Sequence, residues 1–157
     1  MGNHKNEYSS LKISFAGYDD DQQQIHSMIK GGKIKEQLSL DVEIFRIYIP
    51  KNSENDTRLP FVTDFEEIVY GFFDVLIIGK VYSCVNDKIF SLARQSLATG
   101  KDIIVVDPEF IDAYCKQICK IAENYHLSVK SSFCIEDTIM GLAEIASYRS
   151  NKNMELV

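Results

Sequence analysis

Apolar positions along the chain gather into short β-type runs separated by stretches with helical spacing. In order they read "LKISFAG", "DDQQQIHSMIKGGKIKEQL", "DVEIFRIYIP", "DFEEIVYGF", "DVLIIGKV", "NDKIFSLARQSLATG", "KDIIVVD", "PEFIDAYCKQICKIAENYH", "LSVKSSF" and "IEDTIMGLAEIASYRS". Strand and helix signals alternate, which predicts an α/β fold with a mostly parallel sheet and helices on both faces. "VLIIG" and "DIIVVD" are continuous apolar runs, as strands covered on both faces require, so they are expected at the sheet centre. In "VEIFRIYI" the alternation of Val42 and Ile44 slips after Phe45 to Ile47 and Ile49. That strand is placed nearer an edge.

Helix ends carry their own signals. Asn86 and Asp87 open one helix and Gly100 stops it; Asp107 and Pro108 sit at the cap and first turn of the next. Gly31 and Gly32 interrupt the first helical segment, and "PKNSENDTRLP" between Pro50 and Pro60 reads as a surface loop. Residues 1–10 are expected to be a flexible start, 11–149 one domain, and 150–157 a flexible tail. A chain of 157 residues, 45% hydrophobic and 25% charged, is long enough for one substantial core.

A formal charge of −6 with a pI near 5.1 opposes binding to nucleic-acid backbone or anionic lipid. No apolar run is long enough to span a bilayer, and no secretory segment is recognisable, so a cytoplasmic protein with reduced thiols is expected. Cys115 and Cys119 share a helix face, but with Cys84 and Cys134 they lack the CxxC spacing of zinc or iron–sulfur sites. Buried structural thiols are the expectation. His26 and His126 have no acid or cysteine pattern beside them and read as ordinary helix or loop residues.

Several segments together carry a family likeness: "LPFVTDFEEIV", "DVLIIGK", "ARQSLATGKDIIVVDPE" and "FIDAYCKQICKIAENYHLSVKSS". Over roughly residues 11–132 their order resembles the amino-terminal dinucleotide-binding domain of the glucose-fructose oxidoreductase/inositol dehydrogenase family. That resemblance implies a Rossmann-like fold and an NAD(P) site. The departures fall on the functional positions. The fingerprint G-x-G-x-x-G would align with Gly17-Tyr18-Asp19-Asp20-Asp21-Gln22, so only the first glycine stands. The acid expected after the second strand is replaced by Ile49, Pro50 and Lys51, and the family's lysine position by Asp107. The chain is also expected to lack the substrate-binding domain that follows in the family, since it ends about one helix later.

Charge sharpens the first departure. A phosphate charge about 5 Å from one carboxylate costs about 3 kcal/mol at an effective dielectric of 20. The helix end returns only about 0.3–1 kcal/mol. Asp19, Asp20 and Asp21 therefore argue against a bound pyrophosphate and read as cap and first-turn acids, with a cation site as the alternative. Open α/β sheets bind ligands at the carboxyl ends of their strands. The candidate pocket there comprises Gly17, Tyr18, Lys80, Tyr82, Ser83 and Asp107, with Asn86 and Glu109 beside them.

The resulting expectation is a non-catalytic, degenerate Rossmann-like domain that needs no cofactor. It would serve as an accessory or regulatory subunit through a protein partner or a homo-oligomer. Two alternatives stand beside it: an NAD(P)-dependent oxidoreductase or half-enzyme completed by a partner chain, with Lys80 or Asp107 in acid–base roles, and a small-ligand or metal sensor. Ile139, Leu142, Ala143, Ile145, Ala146 and Tyr148 recur at helical spacing on the last helix and are expected to pack in the core.

Overall fold

Val75–Ile78 and Asp102–Val105 are strands in which every residue is buried, as their unbroken apolar character requires. They are β4 and β5 in a computed structural model that describes residues 9–49, 62–63, 65–79 and 86–155. Before them come β1 (Ser9–Ala16), α1 (Asp20–Lys30), α2 (Lys33–Leu38), β2 (Leu40–Tyr48), β3 (Val62–Thr63) and α3 (Phe65–Tyr70). Helix α4 (Asn86–Ala98) joins β4 to β5, and α5 (Pro108–Asn124), β6 (Val129–Ser131) and α6 (Ile135–Glu155) complete the order. Two elements outrun the sequence expectation: β1 begins at Ser9, inside the stretch assigned to a flexible start, and α6 continues past Ser150 to Glu155. The two-residue β3 has too little sequence to carry a periodic signal.

The sheet runs β3-β2-β1-β4-β5-β6, with every pairing between described strands parallel. This is the strand order of a Rossmann fold, and the order reverses between β1 and β4. Side chains alternate between two cores. Leu11, Ile13, Phe15, Val75, Ile77 and Ile104 pack under α1, α2 and α6. Ala16, Leu76, Ile78, Ile103 and Val105 pack under α3, α4 and α5.

The slip after Phe45 has a structural cause. Ile13 pairs with Ile44 but Ser14 with Arg46, so Phe45 is an extra residue in the β1–β2 ladder. Such a bulge inverts the facing of everything beyond it. Leu40, Val42 and Ile44 therefore face the α1/α6 side, Phe45 and Tyr48 the α3 side, and Ile47 and Ile49 return to the first. Strand β2 has only β3 outside it, in keeping with a place near the edge.

The expected helix ends are present. Gly31 caps α1, Gly32 takes a left-handed φ of 80° before α2, and Asp107 caps α5 with Pro108 as its first residue. At the end of α4, Gly100 (φ 92°) donates to Leu97 O and Lys101 N to Ser96 O, the paired bonds of a Schellman stop. On α6, Ile139, Leu142, Ile145 and Ala146 are buried, whereas Ala143 is half-buried and Tyr148 is exposed at the margin of that stripe.

Candidate functional site

Where the strand order reverses, β1 and β4 diverge into different connections, and in sheets of this kind the crevice so formed is where ligands bind. Strand β1 ends at Gly17, whose φ of 91° turns the chain toward α1 at little cost for a residue without Cβ. The Gly17 N–H donates to Tyr48 O at 2.8 Å, which fixes the turn to the end of β2. Gly79 ends β4 beside it, with its N–H on Ala16 O at 2.8 Å.

The amino end of α1 is occupied by the protein's own groups. Asp19 is the N-cap; its carboxylate accepts from Gln22 N, and the Gln22 carboxamide oxygen accepts from Asp19 N at 3.2 Å. This reciprocal capping box uses two of the N–H groups that a helix end otherwise presents to an anion. Gln23 N donates to Asp19 O, and the Gln23 side chain donates to Tyr18 O. Asp20 and Asp21 fill the first turn, as the sequence suggests.

Gln22 stands where the fingerprint has its third glycine, the residue that permits close helix–strand packing. Here the glycine is on the other side of the contact. Gln22 is fully buried, and a Cβ placed on Gly79 would overlap its carboxamide. The Gln22 side chain thus fills the space between α1 and the end of β4, with its Nε2 buried and lacking a hydrogen-bond partner. Gly79→Ala is expected to destabilise the fold by about 1–2 kcal/mol through overpacking. In a denaturant series Gln22→Ala should relieve most of that penalty, and strict additivity of the two substitutions would contradict the contact.

Of the residues expected at this edge, Gly17 and Tyr18 follow the carboxyl end of β1 and Asp107 follows β5, with β4 between the two strands. Lys80, Tyr82 and Ser83 lie outside the described residues. Tyr18 shares a 2.7 Å hydrogen bond with Nδ1 of His26, and both rings lean on Phe15. Burial raises the Tyr18 phenol above its usual range, while burial and then Lys30 lower the His26 imidazole. His26 is therefore mostly neutral at pH 7, and its tautomer sets which partner donates the shared proton. Asp107 is buried at 3% exposure and accepts from Glu109 N at 3.1 Å, so its carboxylate is turned to the start of α5. Sequence reasoning met Gln22 only as the replacement of a glycine and did not weigh Gly79; the spacing Asp19-x-x-Gln22 is the signal that announces the cap.

The thiols depart from expectation. Cys115 and Cys119, on one face of α5, are half-buried, and Cys134, in the turn between β6 and α6, is exposed. Cys84 lies outside the described residues. Among the described residues no three His, Cys, Asp or Glu side chains come together as a metal site, and no helix is long and apolar enough to cross a membrane.

No protein-family model and no curated protein matches the chain. Among solved structures it is similar to homoserine dehydrogenase from S. aureus, with a TM-score of 0.63 and 18% identity over 80% of this chain and 33% of that one. The enzyme from Thiobacillus denitrificans aligns with a TM-score of 0.61 and 14% identity, over 79% of this chain and 30% of that one. A hyperthermophilic archaeal homoserine dehydrogenase mutant in complex with NADPH gives 0.60 and 11% identity, over 78% and 43% respectively. The chain thus spans about a third of the length of the first two. At these identities the likeness is one of fold, and the matched fold is Rossmann-like.

Proposed function

We propose that this chain is a Rossmann-like domain whose dinucleotide cradle is closed by its own side chains and which acts through association with other protein chains. The reciprocal cap between Asp19 and Gln22 carries the reading. It occupies the helix end where a pyrophosphate would sit, and the two neighbouring carboxylates of Asp20 and Asp21 add repulsion. The resemblance to the glucose-fructose oxidoreductase/inositol dehydrogenase family and the likeness to a homoserine dehydrogenase bound to NADPH make the dinucleotides the ligands to test first. Support for association comes from large apolar side chains left in solvent, with Phe72 88% and Phe133 73% exposed.

Titration with NADH and NADPH, followed by nucleotide fluorescence and by melting temperature, is expected to show no saturable binding below about 1 mM. Micromolar affinity for either would overturn the closed-cradle reading. Native mass spectrometry of the protein purified from its own cells is expected to show a homo-oligomer or a partner complex. A lone monomer at cellular concentration would overturn the association.

A further inference from the structure

Two thiols outside the crevice face one another on α5. Cys115 Sγ and Cys119 Sγ are 3.8 Å apart, and Ser131 Oγ of β6 lies 3.7 Å from Cys115 Sγ. Residues four apart on a helix hold their Cβ atoms about 5–6 Å apart, whereas a disulfide needs about 3.5–4.5 Å. Closing the pair as a disulfide would therefore require the helix to deform, and the pair remains a dithiol. An ion between the sulfurs removes that mismatch. Two metal–thiolate bonds of about 2.3 Å subtend about 110° across the observed separation, between tetrahedral and trigonal geometry.

We propose that Cys115 and Cys119 chelate one soft, thiophilic metal ion, Cu(I), with its remaining position open to solvent. Thiolate ligands favour Cu(I), Zn(II) and iron–sulfur clusters, and the clusters ask for four cysteines. Zn(II) in a structural site asks for four protein ligands, and among the described residues no third His, Cys, Asp or Glu completes such a set. On binding, two S–H bonds break, two S–Cu bonds form and two protons leave to solvent; copper stays in the +1 state.

The test is an anaerobic titration of the whole chain against Cu(I) held by bicinchoninate, read as loss of the coloured chelate. Wild type and a Cys84→Ser/Cys134→Ser variant are each expected to withdraw one equivalent. Cys115→Ser and Cys119→Ser should each weaken the affinity by about 100-fold or more, since the second linked donor is lost. Equal withdrawal by wild type and the two single variants would overturn the proposal, as would loss of binding in the Cys84→Ser/Cys134→Ser variant. Copper absorption spectroscopy on the loaded wild type gives a check that no variant's folding can confuse. Two sulfur neighbours are expected, and a shell of oxygen and nitrogen alone would refute the site.

Discussion

Arg149→Ala is expected to remove about 3 kcal/mol of folding stability, seen as a fall in the urea midpoint with little change in slope. Arg149 reaches from α6 under the amino ends of the strands. Its Nε donates to Asp102 at 2.7 Å, Nη1 to the Asp74 carboxylate at 3.2 Å, and Nη2 to Asp74 O and Gly100 O at 3.1 and 2.8 Å. Asp102 also accepts from Ser128 N and Oγ, and Asp74 from Lys12 N. One guanidinium therefore ties α6 to the starts of β4 and β5, and through their carboxylates to β1 and the entry to β6. Removing it leaves the Asp102 carboxylate, 1% exposed, without its countercharge. The Lys130–Glu144 pair is the control: Glu144 is exposed and Lys130 half-buried, and despite the 2.8 Å contact Glu144→Ala should cost no more than about 0.5 kcal/mol. Equal losses from the two substitutions would show that the Arg149 cluster is not the clamp its geometry implies.

Lys101 gives the second large effect, as a dependence on pH. Its ammonium is buried with no carboxylate partner among the described residues: it donates to Val69 O at 2.9 Å and Thr99 Oγ1 at 2.7 Å, and lies 4.8 Å from the centre of the Phe73 ring. Burial, and then the charge of Arg149, lower its pKa from 10.5 to about 8. Below pH 8 both folded and unfolded chains hold this proton, and the folded state bears the cost of burying it. Between about pH 8 and 10.5 the unfolded chain binds more protons, so stability rises with pH across that window and levels above it. The integrated gain is at most about 3 kcal/mol. Measured as the difference from Lys101→Met, which cancels the tyrosines and thiols that titrate in the same range, wild type should gain on the variant from pH 7.5 to 10. Parallel curves would mean that Lys101 is not titrating in the folded protein.

Much of the architecture was legible in the residues. The uninterrupted "VLII" and "DIIV" runs marked two interior strands covered on both faces, Gly100 marked the end of α4, and Asp107-Pro108 marked the start of α5. Even the slip after Phe45 was visible as a broken alternation, although its meaning as a bulge needed the pairing partner on β1. The candidate site was less legible. Asp19 as a cap followed from its position, but the burial of Gln22 against Gly79 joins residues 57 apart in the chain. The cysteines were misjudged for a related reason. Spacing places Cys115 and Cys119 on one helix face but does not say whether that face meets the core or its margin.

Local sequence was enough to set the alternation of strands and helices, their punctuation, and the acids that open α1. These are local matters, because periodicity and capping depend on residues within one or two turns of each other. Only the tertiary structure decided that Gln22 fills the switch-point gap, that Arg149 clamps Asp74 and Asp102, and that Lys101 is buried without a partner carboxylate in its described contacts. Each of those depends on which distant segments the parallel sheet brings together, and no short window of sequence contains both partners.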